Sequence, residues 1–160
     1  MRANDDPLNV RMRRANEADC MDLFRWRNDP IMRRNSISGD AEVSLEDHKR
    51  WFAKKMKDPR SKLYIGIAGD RKVGMVRFDA GEDCAVISVS VDPAYRGMGL
   101  GSKMVGLTSA GALREFGKPI VARIKSDNMA SIRIFAKNGY NIKDSANGVT
   151  CMCFDGKSHE

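Results

Sequence analysis

The sequence predicts an α/β protein of the α+β kind, and three observations predict it. Residues 63–91 change from helical to strand-like periodicity and hold three short alternating runs joined by tight turns, an antiparallel meander. Segments with helical spacing, bounded by capping residues, stand on both sides of that meander. A glycine-rich turn, Arg96-Gly97-Met98-Gly99-Leu100-Gly101, leads from the third strand into a helix. The chain has 160 residues, enough for a single core and too few for two ordinary ones.

The elements follow in the order β-α-α-β-β-β-α-β-α-β-β. Residues 1–9 are polar and expected to fray, which leaves 10–160 as one domain. Val10 to Arg13 reads as a first strand. Ala15 to Asn28 reads as a helix with Met21, Leu23, Phe24 and Trp26 facing inward, ended by Asp29-Pro30. Residues 31–43, rich in Ser, Asn, Gly and Asp, are expected to be irregular. Ser44 caps a helix with Glu46 and Asp47 in its first turn; it runs to about Lys57, with Leu45, Trp51, Phe52 and Met56 as its apolar positions. Leu63 to Ala68, Val73 to Phe78 and Ala85 to Val91 are the meander strands, around turns at 69–72 and 80–83. Ser102 to Phe116 is a helix closed by Gly117 and Pro119, and Ile120 to Ile124 a strand. Met129 to Lys137 is a helix closed by Asn138-Gly139. Tyr140 to Ile142 and Val149 to Phe154 are two last strands around Asn147-Gly148.

Composition narrows the function classes. Hydrophobic residues make up 42% and charged residues 31%, a balance that folds rather than stays disordered. No apolar stretch nears the roughly 20 residues of a membrane helix, so no membrane insertion is expected. The charged N-terminus has no apolar segment behind it, which predicts a cytoplasmic protein without a signal peptide. Cys20, Cys84, Cys151 and Cys153 are too scattered for a paired CxxC zinc site and read as reduced thiols. With only His48 and His159, no multi-histidine metal site is available and no metal is expected; a Ser-His-Asp hydrolase would have to use His48. The net charge of +7 suggests an anionic partner: nucleic acid, a membrane surface or a phosphorylated small molecule. The charge is spread: residues 1–60 hold 14 Lys and Arg against 11 Asp and Glu, and residues 61–160 hold 14 against 10. A nucleic-acid arm would show a denser run, so a phosphorylated ligand at one local site fits as well.

The most informative stretch is Val89 to Lys103. Three alternate glycines let the backbone bend and approach a ligand, and their N–H groups, with those of the following helix, can converge on a phosphate. The spacing is GxGxG, not the GxGxxG of a dinucleotide fold, and Lys103 follows Ser102 rather than Gly, so it is not a P-loop. Beside it stands a second motif: Asn128-Met129-Ala130-Ser131 opens a helix that ends at Phe135-Ala136-Lys137-Asn138-Gly139-Tyr140. Together, Arg-x-x-Gly-x-Gly between strand and helix and the later Asn-x-x-Ser…Gly-aromatic segment resemble the GNAT superfamily of acyl-CoA-dependent N-acetyltransferases, over essentially residues 10–154.

The resemblance implies a mixed central sheet in which strands 85–91 and 120–124 are parallel neighbours that splay apart around acetyl-CoA. It implies that pantetheine bonds backbone at Val89 and Val91. The pyrophosphate would lie on Arg96, Gly97, Met98, Gly99, Leu100, Gly101 and Ser102, and Asn128 and Phe135 would complete the cofactor site. No metal is implied.

The acceptor is implied by a narrower likeness. Phe24 to Pro30, Ser44 to Phe52 and Gly74 to Asp79 are similar to the branch that acetylates nucleotide-linked amino sugars, in pseudaminic-acid-type glycan pathways. Carried over by position, Trp26, Arg27, Asn28, His48 and Trp51 would line the acceptor pocket, where indole faces can stack on a base or a sugar. These residues also suit structural work: Trp26 and Trp51 as core, His48 as a solvated residue in the first turns of its helix, Arg27 and Asn28 closing a helix end; nearby Arg77 and Asp79 read as a strand-end ion pair. The chemistry needs a base for the amine and donors for the developing oxyanion. His48 is the titratable candidate base, with Ser88 and Ser90 able at most to order a water; backbone N–H at Val91 is the oxyanion donor, and a water held by Ser131 could substitute for an acid. Many relatives carry a tyrosyl acid where this chain has Phe135, which cannot donate. Two further readings stay open: acetylation of a protein N-terminus or lysine of the ribosomal-protein type, and a basic CoA- or nucleic-acid-binding module without catalysis. The terminal strands could pair across a homodimer.

Overall fold

In the structure, a computed structural model, residues 9–157 are described. The expectation for the first residues of the chain therefore lies outside the described part, apart from Asn9. One seven-stranded mixed sheet organises the chain, in the order β1-β2-β3-β4-β5-β7-β6. Strands β1 (Val10–Arg14), β2 (Ser61–Ala68), β3 (Arg71–Ala80) and β4 (Ala85–Val91) run antiparallel in sequence. β5 (Ile120–Lys125) lies parallel to β4, and β7 (Val149–Phe154) is antiparallel to both β5 and β6 (Asn141–Ala146). The predicted meander and mixed sheet are both present.

Helices cover both faces. Helix α4 (Leu100–Phe116) and α5 (Met129–Lys137) lie on one, over a core of Val76, Phe78, Ile87, Leu100, Met104, Ile120, Phe135 and Met152. Helix α1 (Cys20–Arg27) and α3 (Leu45–Lys57) lie on the other, over Leu23, Trp26, Phe52, Leu63, Ile65 and Met75. Strand alternation explains the division: on β3 the even positions 76 and 78 point to α4, and the odd positions 75, 77 and 79 to α1 and α3. On β4 the facing partners Val89 and Ile87 go to the α4 side, and Ser88 and Ser90 to the other.

Several boundaries differ from expectation for identifiable reasons. Residues 31–43 are not all irregular: α2 (Pro30–Asn35) begins there. Asp29, just past the Asn28 cap of α1, caps α2, its carboxylate accepting from the N–H groups of Ile31 and Met32, with Pro30 at the first helical position. Asp-Pro therefore marked a start as well as a stop. The predicted helix over 15–28 is split into a 3-10 turn, Glu17–Asp19, and α1, because Asn16 and Asp19 cap each other there. Met21 is exposed rather than inward, as are Leu45 and Met56. Helix α4 starts two residues early, at Leu100, and β6 begins after Tyr140, whose buried hydroxyl bonds Ser109 at 2.7 Å. All four cysteines are free. Among the described residues no helix is long and apolar enough to cross a membrane.

Candidate active site

The two halves of the sheet are joined by little. β4 and β5 pair only over Ala85–Ile87 with Ile120–Ala122, although β4 continues to Val91 and β5 to Lys125. The strands splay beyond that point. The backbone shows which groups the splay exposes. The Ala85 N–H reaches across to Pro119 at 2.9 Å, and the Asp92 N–H points the other way, to Val73 at 2.8 Å. Strand geometry repeats every second residue, so the N–H and C=O of Val89 and Val91 face the gap. They are sheet-edge groups in the middle of a sheet, available to an amide-bearing ligand.

The glycine loop stands at the mouth of this gap. Gly97 and Gly99 have φ of 77° and 78°, the left-handed region where a Cβ is strained. Gly99 is also the N-cap of α4 and has no side chain to satisfy the first-turn N–H groups. A 17-residue helix thus ends in open donors with its positive dipole end outward. Met98, Gly99, Ser102, Lys103, Gly106, Leu107, Lys137 and Asn138 line an adjoining cleft of about 430 Å³. Asn138 holds the two helices of this cleft together, donating from its amide to the Ser102 carbonyl and hydroxyl and to the Ile134 carbonyl at 2.8–3.1 Å. This donor set suits a pyrophosphate, and the splayed strand suits the pantetheine amides behind it.

The remaining expected cofactor residues divide. Arg96 is engaged by Asp29, with a nitrogen–oxygen distance of 2.5 Å. Burial works to raise the Asp29 pKa, but Arg96 and the two α2 amides hold it below the usual carboxylate range. The loop's arginine thus reaches the capping residue of α2. Asn128 caps α5, accepting from the Ser131 N–H at 3.3 Å, so both lie at the open end of the splay. Phe135 is buried edge-on against Tyr140 with ring centroids 5.0 Å apart, a core position under α5. The three tyrosines are placed elsewhere: Tyr140 is bonded to Ser109, Tyr64 packs on Phe78, and Tyr95 lies beside Arg71. The site therefore has no tyrosyl acid at the position where many relatives carry one.

The residues expected to line an acceptor pocket sit on the α1/α3 face. Trp26 is only 1% exposed, and its indole N–H donates to Asp92 at 2.7 Å, so it is a core residue without a free face for a ligand. Asp92 also pairs with Arg25 and caps the turn at Ala94; burial opposes its ionisation, but these partners hold its pKa down. His48 is fully buried among Phe24, Trp51 and Phe52, with Nε2 2.8 Å from the Cys20 carbonyl. Its Nδ1 is buried without a hydrogen-bond partner among the described residues. Burial pushes the ring's pKa down, Arg27 adds to this, and the Cys20 bond opposes it. A neutral, enclosed imidazole is a poor proton acceptor for an incoming amine. Asn28 bonds both backbone groups of Val43 at 2.8 Å and closes the loop that carries α2.

Trp51 and Arg27 are different. The Trp51 ring is half-buried, with the Arg27 guanidinium 4.9 Å and the Arg77 guanidinium 5.1 Å from its centroid. Arg77 in turn reaches Ser88 on β4 at 3.3 Å and pairs with Asp79 at 2.7 Å, as the strand-end ion-pair reading expects. The stacking surface predicted at Trp51 is taken by two cations. Sequence reasoning missed Asp29, Asp92 and Asn138 as organisers of the site. The signal for the two aspartates was available, since each precedes a proline that opens a helical turn.

Comparison with known proteins agrees with this geometry. Residues 9–141 match the family of acetyltransferase (GNAT) domains. The chain is similar to the L-methionine sulfoximine/L-methionine sulfone acetyltransferase of Salmonella typhimurium, at 27% identity over 141 residues, 82% of this chain and 80% of the relative. Among solved structures it is similar to Salmonella typhimurium yncA with its cofactor acetyl-CoA, at TM-score 0.77 and 25% identity, covering 95% and 96% of the two chains. It shares its fold with spermidine N-acetyltransferase from Vibrio cholerae in complex with CoA and spermine, at TM-score 0.78 and 12% identity, covering 92% and 95%.

Proposed function

The chain belongs to the GNAT acetyltransferase family and is an acetyl-CoA-dependent N-acetyltransferase; we propose that its acceptor is a primary amine on a nucleotide-linked amino sugar. One observation supports that acceptor best. The two segments that resemble the amino-sugar branch, around Trp26–Asn28 and His48–Trp51, meet on one face of the sheet. Their contact, Arg27–Trp51–Arg77–Ser88, reaches β4 at the residue after its last pairing with β5. An acceptor there would approach the splay from the side opposite α4.

Bound acetyl-CoA supplies an acyl group activated as a thioester. The amine nitrogen forms a bond to the acyl carbon, the carbon–sulfur bond breaks, and CoA leaves as the thiolate. Our assignment gives the chain four tasks. The α4 amides and the Gly97–Gly99 turn hold the pyrophosphate. The Val89 and Val91 backbone aligns pantetheine, and the Val91 N–H donates to the acyl oxygen. Ser88 and Ser90, on the acceptor side of β4, order a water that takes up the amine proton, while Ser131, half-buried at the start of α5, holds a water that stands in for the missing acid at the departing thiolate. His48 keeps α1 and α3 in register and does not move the proton. The chain works without a tyrosyl acid, since a thiolate is a tolerable leaving group.

A second reading has its own support. The Salmonella relative is named for acetylating L-methionine sulfoximine and sulfone, which makes an amino-acid-like amine the alternative acceptor. Release of CoA thiol with UDP-linked amino sugars, free amino sugars, L-methionine sulfoximine, spermine and an N-terminal peptide, offered in parallel, tests both. Turnover of the nucleotide sugars well above the others is expected. Preference for L-methionine sulfoximine would replace the first reading by the second, and preference for the peptide would replace both.

A further inference from the structure

The Arg27–Trp51–Arg77 contact contains more positive charge than the fold neutralises. Asp79 is the one carboxylate in it among the described residues, and it is already shared: Oδ1 takes Lys55 at 2.7 Å and the Ser61 hydroxyl at 2.6 Å, and Oδ2 takes Arg77 at 2.7 Å. Burial works to raise the Asp79 pKa, and these cations and the hydroxyl hold it below the usual range. Arg27 is a third cation. Its side chain is exposed, it has neither a hydrogen bond nor a carboxylate partner among the described residues, and its guanidinium lies over the Trp51 ring. Partial desolvation of its guanidinium by the protein around it, followed by repulsion from Arg77, lowers its pKa.

A purely structural ion pair would bring one cation to one carboxylate. Here two cations, Lys55 and Arg77, already share one carboxylate, and a third, Arg27, is held with Arg77 about one indole. A ring face attracts a guanidinium but does not cancel its charge. The Trp51 ring is itself fixed by the buried His48 behind it, 5.6 Å away. Guanidiniums held in this way offer forked N–H donors, which match phosphate and carboxylate oxygens. Arg77 and Ser88 put the group beside the splay, on the side assigned to the acceptor.

We propose that Arg27 and Arg77, spaced by Trp51, form an anion subsite that selects acceptors carrying a phosphate or carboxylate in addition to the amine. The proposal rests on the assignment of this face to the acceptor. It also gives one physical cause to two different acceptors: the diphosphate of a nucleotide sugar and the carboxylate of an amino acid would use the same two arginines.

The test compares wild type with Arg27→Gln and Arg27→Lys, since Arg27 lies on the surface and its replacement leaves the core untouched. Each is titrated, saturated with CoA, with UDP and separately with L-methionine sulfoximine, and each is assayed for the KM of acetyl-CoA and of the preferred acceptor. The expected result is binding of at least one of these anions by wild type, weakened tenfold or more in Arg27→Gln and partly restored in Arg27→Lys. The acceptor KM rises in parallel while the KM of acetyl-CoA, set by the α4 loop, stays unchanged. Binding of UDP supports the phosphate source and binding of L-methionine sulfoximine the carboxylate source. If only the amino acid binds and Arg27→Gln abolishes it, the subsite stands and the nucleotide-sugar reading falls. If nucleotide sugars are turned over with a KM that Arg27→Gln leaves unchanged, that reading stands and the subsite falls. Failure of wild type to bind either anion overturns the subsite.

Discussion

On the α4 face of the sheet the core is almost wholly apolar, and the site it carries is made of backbone: two left-handed glycines, open helix N–H groups and the unpaired edge of Val89–Val91. On the α1/α3 face the core is smaller and laced with charge. Asp19 sits there fully buried between Arg13 and Lys72, Asp92 anchors Trp26 and Arg25, and Asp79 gathers Arg77 and Lys55. The cofactor face recognises a ligand through main-chain groups that any sequence of suitable conformation can present. The face proposed for the acceptor presents instead particular side chains held by other particular side chains. Backbone sites should therefore break through steric intrusion, and side-chain sites through loss of a single polar group.

The largest effect is expected at Gly74, where β3 passes the start of the cofactor edge. A Cβ there would lie 2.3 Å from the Ser90 carbonyl oxygen and 3.2 Å from the Val91 Cα. Gly74→Ala should force β3 away from β4 and lower stability by about 3 kcal/mol in chemical denaturation. Acetyl-CoA binding should weaken with it, because the Val89–Val91 edge moves. A variant of unchanged stability and affinity would show that the edge is less rigidly placed than its contacts imply.

Asp19 offers the matching break on the other face. Burial works to raise its pKa, but Arg13, Lys72 and the Asn16 N–H hold it far below the ordinary carboxylate value. Asp19→Ala leaves two cations without their shared anion and should cost roughly 3 kcal/mol. The pH dependence carries the same sign. A depressed folded pKa stabilises fully above the unfolded value of about 3.9 and loses that stabilisation as pH falls below it. Tm measured downward from pH 5 should therefore drop more steeply in wild type than in Asp19→Ala; equal slopes would remove Asp19 from the account.

Gly99→Glu sharpens the contrast without unfolding the chain, since nothing lies within 4 Å of a Cβ there. The left-handed φ is strained by the substitution, and the new carboxylate faces the pyrophosphate position. Calorimetric titration should show about 100-fold weaker acetyl-CoA binding, about 2.7 kcal/mol, with circular dichroism unchanged. The smallest effect is expected from Asn28→Ala, which frees the Val43 backbone and costs about 1 kcal/mol. It should raise the acceptor KM and leave the acetyl-CoA KM alone; the reverse pattern would place the 29–43 segment on the cofactor side.

The same contrast explains what could be read from the sequence. Strand alternation over 63–91, the glycine spacing at 97–101 and the Asn138-Gly139 stop are local patterns, so sheet, loop and α5 were legible. The acceptor face was not. Trp26 and Trp51 look alike in sequence, and only tertiary packing sends one to Asp92 in the core and the other to the surface between two arginines. His48 looked like an available base because nothing local says that Phe24, 24 residues earlier, covers it. Arg77 looked like half of an ion pair, which it is, but the pairing of its partner with Lys55 depends on α3 reaching across the sheet.

The opening between β4 and β5 has a consequence for how this chain stays in solution. An unpaired strand edge is ordinarily a hazard, because it templates pairing with a neighbouring molecule. Here the vulnerable edge is internal, roofed by α4 on one side and flanked by the acceptor face on the other, so another molecule's strand has no straight approach to it. The true rims of the sheet are defended differently: β1 carries Arg11, Arg13 and Arg14, and β6 carries Lys143 and Asp144. Burying its most adhesive backbone in the middle of the sheet lets the protein keep main-chain donors and acceptors unspent for a cofactor, with little risk that they are claimed by aggregation.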